Sequence, residues 1–522
     1  MRAETVVREA LVAAFLAAGS VALVVTAAPP AVDAPAHLYR TELVQQGVHL
    51  WDNLWYAGQY PFASYSFLYY LPASVVGNVP LVAGAAILSA ALFAALLVHE
   101  WGEIGRWPAR AYGVLAGGPL LTGTYSYALG LACLLATLRA LQLGRPRLAI
   151  VFAALTLGFS PLAFVFLCLA LLAIAIGRRR IGSRAFLLAL AGLGGLQLAA
   201  LALFPTETSY PFGVWPLLGV LTASSFGVAL AIRARSRDAL LAFFLLWGVV
   251  CVAAFFLPTP LGSNLTRLRF FVFPLGLLMV LLAGFRPRVL ALPALALGLA
   301  YTVVPYLSVL PQRNTAHEAQ EAFWRPALDF VRRNGGAGYR VEVVPTFDHW
   351  EAYWLPRAGI PLARGWYRQL DVGQNPALYE RALSAAGYRT WLRRNGVRFV
   401  LLPQTRLDRL GARLEARLLR SGNSGLDRVH SSATWTIWEL PAATPILSGS
   451  SPARLTAVEH ERIRGWTAAP GQYLLRVRWS PYWRATGSVA CLERAPDGMT
   501  RLRARSRGSF TLSAALRRGA SC

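Results

Sequence analysis

The sequence predicts a polytopic α-helical membrane protein of about eleven spans, followed by an extracytoplasmic C-terminal α/β unit and a β-sandwich-like end. Three observations predict it. The 522 residues are 56% hydrophobic and only 15% charged, with a mean hydropathy of +0.45 that ordinary soluble domains do not reach. Long apolar runs recur up to Leu310 and shorten beyond Pro311. Arginines fall in every second connection between those runs, as the positive-inside rule requires.

Charge and cysteine content narrow the function classes. The net charge of +26 comes from arginine alone, since the sequence has no lysine, which fits a biased genomic base composition. No basic groove-reading helix, stacking platform or zinc-finger spacing accompanies it, so a nucleic-acid partner is excluded. Cys133, Cys168 and Cys251 lie in apolar runs and read as small core residues. Only Cys491 and Cys522 lie outside them. In an oxidising extracytoplasmic space they are expected to pair as a disulfide.

Arg2 and Arg8 precede the first apolar run, Leu11 to Ala28. Its length suits a retained anchor better than the shorter core of a cleaved signal, although AAPPAVDAPA resembles a cleavage site. The run leads into an outer loop, residues 29–78. Further apolar stretches follow at Val79–Val98, Ala109–Thr122, Tyr125–Leu143, Leu148–Phe159, Leu162–Gly177, Ala185–Phe204, Val214–Ile232, Leu240–Phe256, Phe270–Gly284 and Val289–Leu310. With a cytoplasmic N-terminus, the inside connections are 100–110, 144–147, 178–184, 233–238 and 286–288, each with arginine. An odd count of spans puts the outer loop and everything after residue 310 on the extracytoplasmic side of the plasma membrane. The expected domains are therefore 1–310, 311–440 and 441–522. In the second, YRVEV (339–343) and VRFVLL (397–402) read as strands and Pro376–Arg394 as a helix. In the third, ARLTAV, YLLRVRW, GSVACLE and RGSFTL read as strands parted by turns.

Three passages carry candidate chemistry. DAPAHLYRTELVQQGVHLWDNLWYAGQYPFASYSFLYY, from Asp33 to Tyr70, mixes ionisable groups with aromatic rings. That composition suits either an interfacial loop or an active-site loop at the membrane surface. Asp33 could deprotonate an acceptor hydroxyl or ligate a divalent cation, and His37 and Arg40 share its face if the segment is helical. The second passage, PTPLGSNLTRLR, places Arg267 and Arg269 on the outer side against the charge rule. They either snorkel to lipid headgroups or clamp a phosphate, with Asn264 beside them. The third, RGWYRQLD from Arg364 to Asp371, sets a tryptophan among hydrogen-bonding groups, which is the make-up of a sugar site or of a loop held by structural ion pairs.

These passages resemble the GT-C superfamily of integral-membrane glycosyltransferases: an acidic residue in the first outer loop, a turn like Gly58-Gln59-Tyr60-Pro61, a Tyr-rich segment, many helices and an outer C-terminal domain. More narrowly, the first loop, GSNLTRLRFF and the stretch from ARGWYRQLD to VRFVLLP are similar to actinobacterial membrane proteins labelled "6-pyruvoyl-tetrahydropterin synthase-related". The zinc-binding histidine triad that label calls for is missing. The resemblance implies transfer of a sugar from a polyprenyl-phosphate donor to a cell-envelope glycan or lipid acceptor. Catalysis would fall to Asp33 and His37, and substrate binding to Arg40, Asp52, Asn264, Arg267, Arg269, Arg364, Trp366, Arg368, Gln369 and Asp371. No residue is assigned to a metal, because no Asp-X-Asp or Glu-X-Asp pair occurs there; the cofactor is left open, with a divalent cation as the candidate. The rival expectation is a non-catalytic transporter or envelope-assembly protein on the same scaffold.

Overall fold

A bilayer offers the backbone no hydrogen-bond partner, so uncharged apolar runs become helices that satisfy themselves. The computed structural model describes residues 2–62, 66–178, 183–205, 210–234, 238–257, 259–309, 317–380, 382–517 and 519–522. Parts of three expected features lie outside the described residues: the inside connections 178–184 and 233–238, and the boundary near residue 310. Among the described residues, seven helical stretches are long and apolar enough to cross a membrane: Ala3–Ala27, Asn78–Thr122, Arg184–Leu203, Val214–Arg233, Asp238–Phe256, Gly262–Leu282 and Arg288–Leu307. The chain is a multi-pass membrane protein. Four of the eleven or so expected spans do not stand as separate members of this set. Pro146–Phe159 has 14 residues, about 21 Å of helix against a hydrocarbon core of about 30 Å. Pro161–Gly177 is also short, Tyr125–Gln142 has 18 residues but begins with two tyrosines and ends with Arg139 and Gln142, and Ala109–Thr122 is the broken end of the stretch that begins at Asn78.

Contacts divide the chain into two bodies, residues 1–34 with 65–313 and residues 35–64 with 314–522. In the first, small residues let backbones approach. A Cβ on Gly117 would lie 2.8 Å from Ser20 Oγ, and that hydroxyl accepts the Gly117 N–H at 3.1 Å. Helix Arg2–Ala27 is thereby fixed along the stretch that ends at Thr122, and its buried Glu9 is held by Arg110 at 2.9 Å.

The second body contains three four-stranded sheets. Strands β1 (Arg340–Val343), β2 (Val397–Pro403), β3 (Asp427–Ser431) and β4 (Trp435–Glu439) form a mixed sheet ordered β1-β2-β4-β3. Only β1 and β2 are parallel, so helices fill their crossover. The helix expected over Pro376–Arg394 is confined to Ala385–Arg394, because Ser384 caps it by accepting the Gly387 N–H at 3.0 Å. Beyond residue 440, β5 (Leu447–Gly449), β6 (Ala453–Val458), β7 (Arg462–Thr467), β8 (Gly471–Arg478), β9 (Trp483–Gly487), β10 (Val489–Arg494), β11 (Met499–Ala504) and β12 (Gly508–Ala514) form two antiparallel sheets, ordered β10-β11-β8-β5 and β6-β7-β12-β9. Alternation along β8 buries Tyr473, Leu475 and Val477, and along β12 it buries Phe510 and Leu512. Cys491 and Cys522 are joined by a disulfide with Cα atoms 5.1 Å apart.

Residues 35–64 belong to this second body, which corrects their assignment to a domain spanning 1–310. Their backbone is woven into it. Leu362 donates to the Leu54 carbonyl at 2.8 Å and Arg478 to that of Ala57 at 2.7 Å, while Asn53 donates to the His460 carbonyl at 3.1 Å. Trp51, Trp55 and Tyr56 are 2%, 0% and 1% exposed, so these rings are core residues and not interfacial ones.

Candidate functional site

Within the helical body, Asp33, Asn264, Arg267 and Arg269 line one cavity of about 400 Å³, together with Thr122, Thr124 and Tyr301. The segment Gly262–Phe271 is a ten-residue 3₁₀ helix. With three residues per turn, its side chains fall into three columns. Leu265, Leu268 and Phe271 form one column, 2%, 5% and 7% exposed. The columns Ser263-Thr266-Arg269 and Asn264-Arg267-Phe270 both face the cavity. The apolar positions of GSNLTRLRFF thus seat the helix, and its polar positions line a wall. Trp247 Nε1 donates to the Leu265 carbonyl at 3.0 Å and Thr302 Oγ1 to that of Arg269 at 2.9 Å, pinning the wall at two points.

Asp33 is delivered to the same cavity by the turn after the first helix, in which Ala34 N–H donates to the Ala31 carbonyl at 3.0 Å. Gly123 makes this approach feasible. Its φ of +76° lies in the left-handed region, and a Cβ there would sit 2.6 Å from that of Asp33. The Arg267 guanidinium lies 5.7 Å from the Tyr127 ring centre, and that of Arg269 lies 5.4 Å from Phe270. Arg269 Nε and the Tyr301 hydroxyl are buried and have no hydrogen-bond partner among the described residues. Two guanidinium groups against one carboxylate leave this cavity suited to an anion.

A second cavity of about 400 Å³ shares Arg269, Tyr301 and Pro305 with the first. Its other walls are apolar, among them Phe226, Leu230, Phe244, Met279, Leu297 and Val304. A polar chamber and an apolar groove therefore meet at Arg269 and Tyr301. That is the shape of a site for an anionic amphiphile.

The remaining expected site residues lie in the other body, and most are engaged there. His37 is 1% exposed, and its carbonyl accepts the Thr41 hydroxyl at 2.7 Å. Arg40 is buried, donates to the Tyr367 hydroxyl and stacks over that ring. Asp52 is not in an interfacial turn. It is fully buried and accepts from the Tyr39 hydroxyl at 3.1 Å and from Leu54 N–H at 3.0 Å, with His460 Nδ1 3.0 Å away. Those contacts hold its carboxylate within this body.

Arg364 and Asp371 are likewise engaged, in the kind of ion network that is one of the two expectations for RGWYRQLD. Arg364 is 4% exposed and pairs with Glu342, with Glu415 at 2.5 Å and with Asp371 at 3.7 Å. Burial works against its charge, but Glu342, Glu415 and Asp371 outweigh it and hold its pKa well above the usual arginine value. Burial raises the Glu342 and Glu415 carboxyls, although Arg364 pulls both back. Asp371 also accepts from Asn375 at 2.8 Å and from the Tyr379 hydroxyl. Arg368 pairs with Asp408 at 2.8 Å, whereas Trp366 and Gln369 are half-buried.

Sequence reasoning missed His460, which orients Asp52, and Tyr301, which closes the cavity; neither sits in a local motif, and only the fold brings each to its partner. Among the described residues, no three His, Cys, Asp or Glu side chains gather at metal-binding spacing. In comparisons with known proteins, no family model and no curated protein matches the chain.

Proposed function

We propose that the protein is a membrane glycosyltransferase that moves a sugar from a polyprenyl-phosphate donor to an envelope glycan or lipid on the outer face, in a scaffold of about eleven passes with its N-terminus in the cytoplasm. The observation that carries this reading is the convergence of Asp33, Asn264, Arg267 and Arg269 on one cavity that shares Arg269, Tyr301 and Pro305 with a largely apolar one. A lipid phosphate matches both halves: guanidinium groups bind phosphate oxygens bidentately, and each buried methylene of the chain adds about 0.8 kcal/mol. The resemblance of the first loop to that of GT-C enzymes points to the same donor class.

In this mechanism Asp33 accepts the proton of the acceptor hydroxyl as its oxygen bonds to the anomeric carbon. The bond from that carbon to the donor phosphate breaks, and the lipid phosphate leaves with its charge held by Arg267 and Arg269. Purified protein incubated with radiolabelled polyprenyl-phosphate sugars and envelope-lipid acceptors, with and without a divalent cation, tests it. The wild type should transfer label, and Asp33→Asn should lower the rate roughly 10²- to 10⁴-fold while the donor still binds. Arg267→Ala should weaken donor binding by roughly 1.5 to 3 kcal/mol. A wild type that binds donor yet turns nothing over moves the assembly-protein reading ahead.

A further inference from the structure

The helix Arg413–Arg420 and the turn before it carry arginine at positions 409, 413, 417 and 420. Spacings of four, four and three residues follow the helical period, so these side chains form one stripe. All four are exposed, and they border a shallow hollow of about 1000 Å³. Among the described residues none of them is paired with a carboxylate. Some other arginines of the same body are paired, as Arg398 is with Glu439 at 2.8 Å and Arg501 with Glu493 at 3.0 Å. The opposite side of the helix is anchored by buried Glu415, Ala416 and Leu419, so the stripe is held outward. Leu410, 60% exposed, stands at its start, adding an apolar contact beside the cations.

We propose that this stripe is a docking surface for the anionic headgroups of a lipid bilayer. A cationic row flanked by an exposed leucine is the make-up of segments that lie on an anionic membrane surface. The chain also passes between the helical body and this one three times, after residues 34, 64 and 313. Tethering to membrane-spanning helices keeps the body close to lipid, so weak contacts suffice. The inference is independent of the glycosyltransferase reading.

Full-length protein in nanodiscs tests it by hydrogen exchange of the amides at 409–420. Discs containing phosphatidylglycerol should slow that exchange at least tenfold relative to purely phosphatidylcholine discs. The protection should vanish in 0.5 M NaCl, where screening is short-ranged. It should also be lost in the triple variant Arg413→Gln, Arg417→Gln, Arg420→Gln, since about fivefold in binding per arginine outweighs a tenfold protection. Glutamine keeps helix propensity, and unchanged exchange in β4 reports that the variant is folded. Equal exchange in both kinds of disc overturns the proposal. So does protection that appears only when a soluble polyanion is added, which would make the partner an anionic polymer.

Discussion

Replacing Arg364 by methionine separates a structural cation from a sugar ligand. The substitution keeps much of the aliphatic volume and removes the charge that Glu342 and Glu415 share, leaving two carboxylates that are 1% and 0% exposed without their cation. Removing one partner of a buried pair costs about 3 to 5 kcal/mol. At about 1.4 kcal/mol per decade, the exchange-competent population around β2, which carries buried Val400 and Leu402, should rise roughly 10²- to 10⁴-fold. Hydrogen exchange of peptides covering 397–403 in the full chain reads this directly. The pH dependence adds a second signature. Both glutamate carboxyls are already raised by burial, and without Arg364 they rise further, so the loss should be largest at high pH and shrink as acid protonates them. Adding Glu342→Gln and Glu415→Gln should recover much of the stability. Normal exchange in Arg364→Met, together with lost sugar binding, would refute the structural assignment.

Three further outcomes follow from other sites. Burial pushes the Glu318 carboxyl from 4.5 up to about 7, so the folded state holds an extra proton between those values; stability is full below about pH 4.5 and falls as pH rises through 7, by at most about 3 kcal/mol. Melting curves at pH 5 and 8 should therefore diverge more in the wild type than in Glu318→Gln. The disulfide closes a loop with a sequence separation of 31, worth about 3 to 4 kcal/mol in the chain-entropy treatment, and Cys491→Ser should lower the melting temperature by the same amount as mild reduction of the wild type. Asp52→Ala should release the first loop, raising protease cleavage within 35–64, because each hydrogen bond to its carboxylate contributes roughly 1.5 to 3 kcal/mol; unchanged cleavage would show that the anchor is dispensable.

What could be read in the sequence was what sequence neighbours determine. The arginines of GSNLTRLRFF stood out because they broke the charge pattern of the connections, and the two outer cysteines because all others lay in apolar runs. The columns that aim Arg267 and Arg269 at one cavity were not legible, since a ten-residue 3₁₀ helix has no compositional mark distinguishing it from an ordinary turn of α-helix. The partners of Asp52 and Arg364 were not legible for a different reason. Aromatic rings beside charges describe a membrane interface, a sugar site and a buried ion network equally well, and the partners that decide among these, His460, Glu342 and Glu415, lie far away in sequence or in segments without a motif.

The weaving of residues 35–64 into the second body sets a timetable for biogenesis. Asp52 and His460 are separated by 408 residues, and at the usual pace of synthesis roughly 20 to 80 s pass between their appearances. Trp55 and Tyr56 gain Ala352 and Tyr367 part-way through that interval, whereas Trp51 waits for Trp483. The headgroup layer is the nearest medium that accommodates such rings, so the composition that suits an interface serves the waiting segment even though its final place is a protein core. A nascent chain halted before Ala453 should hold Trp51 where lipid-borne quenchers reach it, and completion of β9, which carries Trp483, should withdraw it.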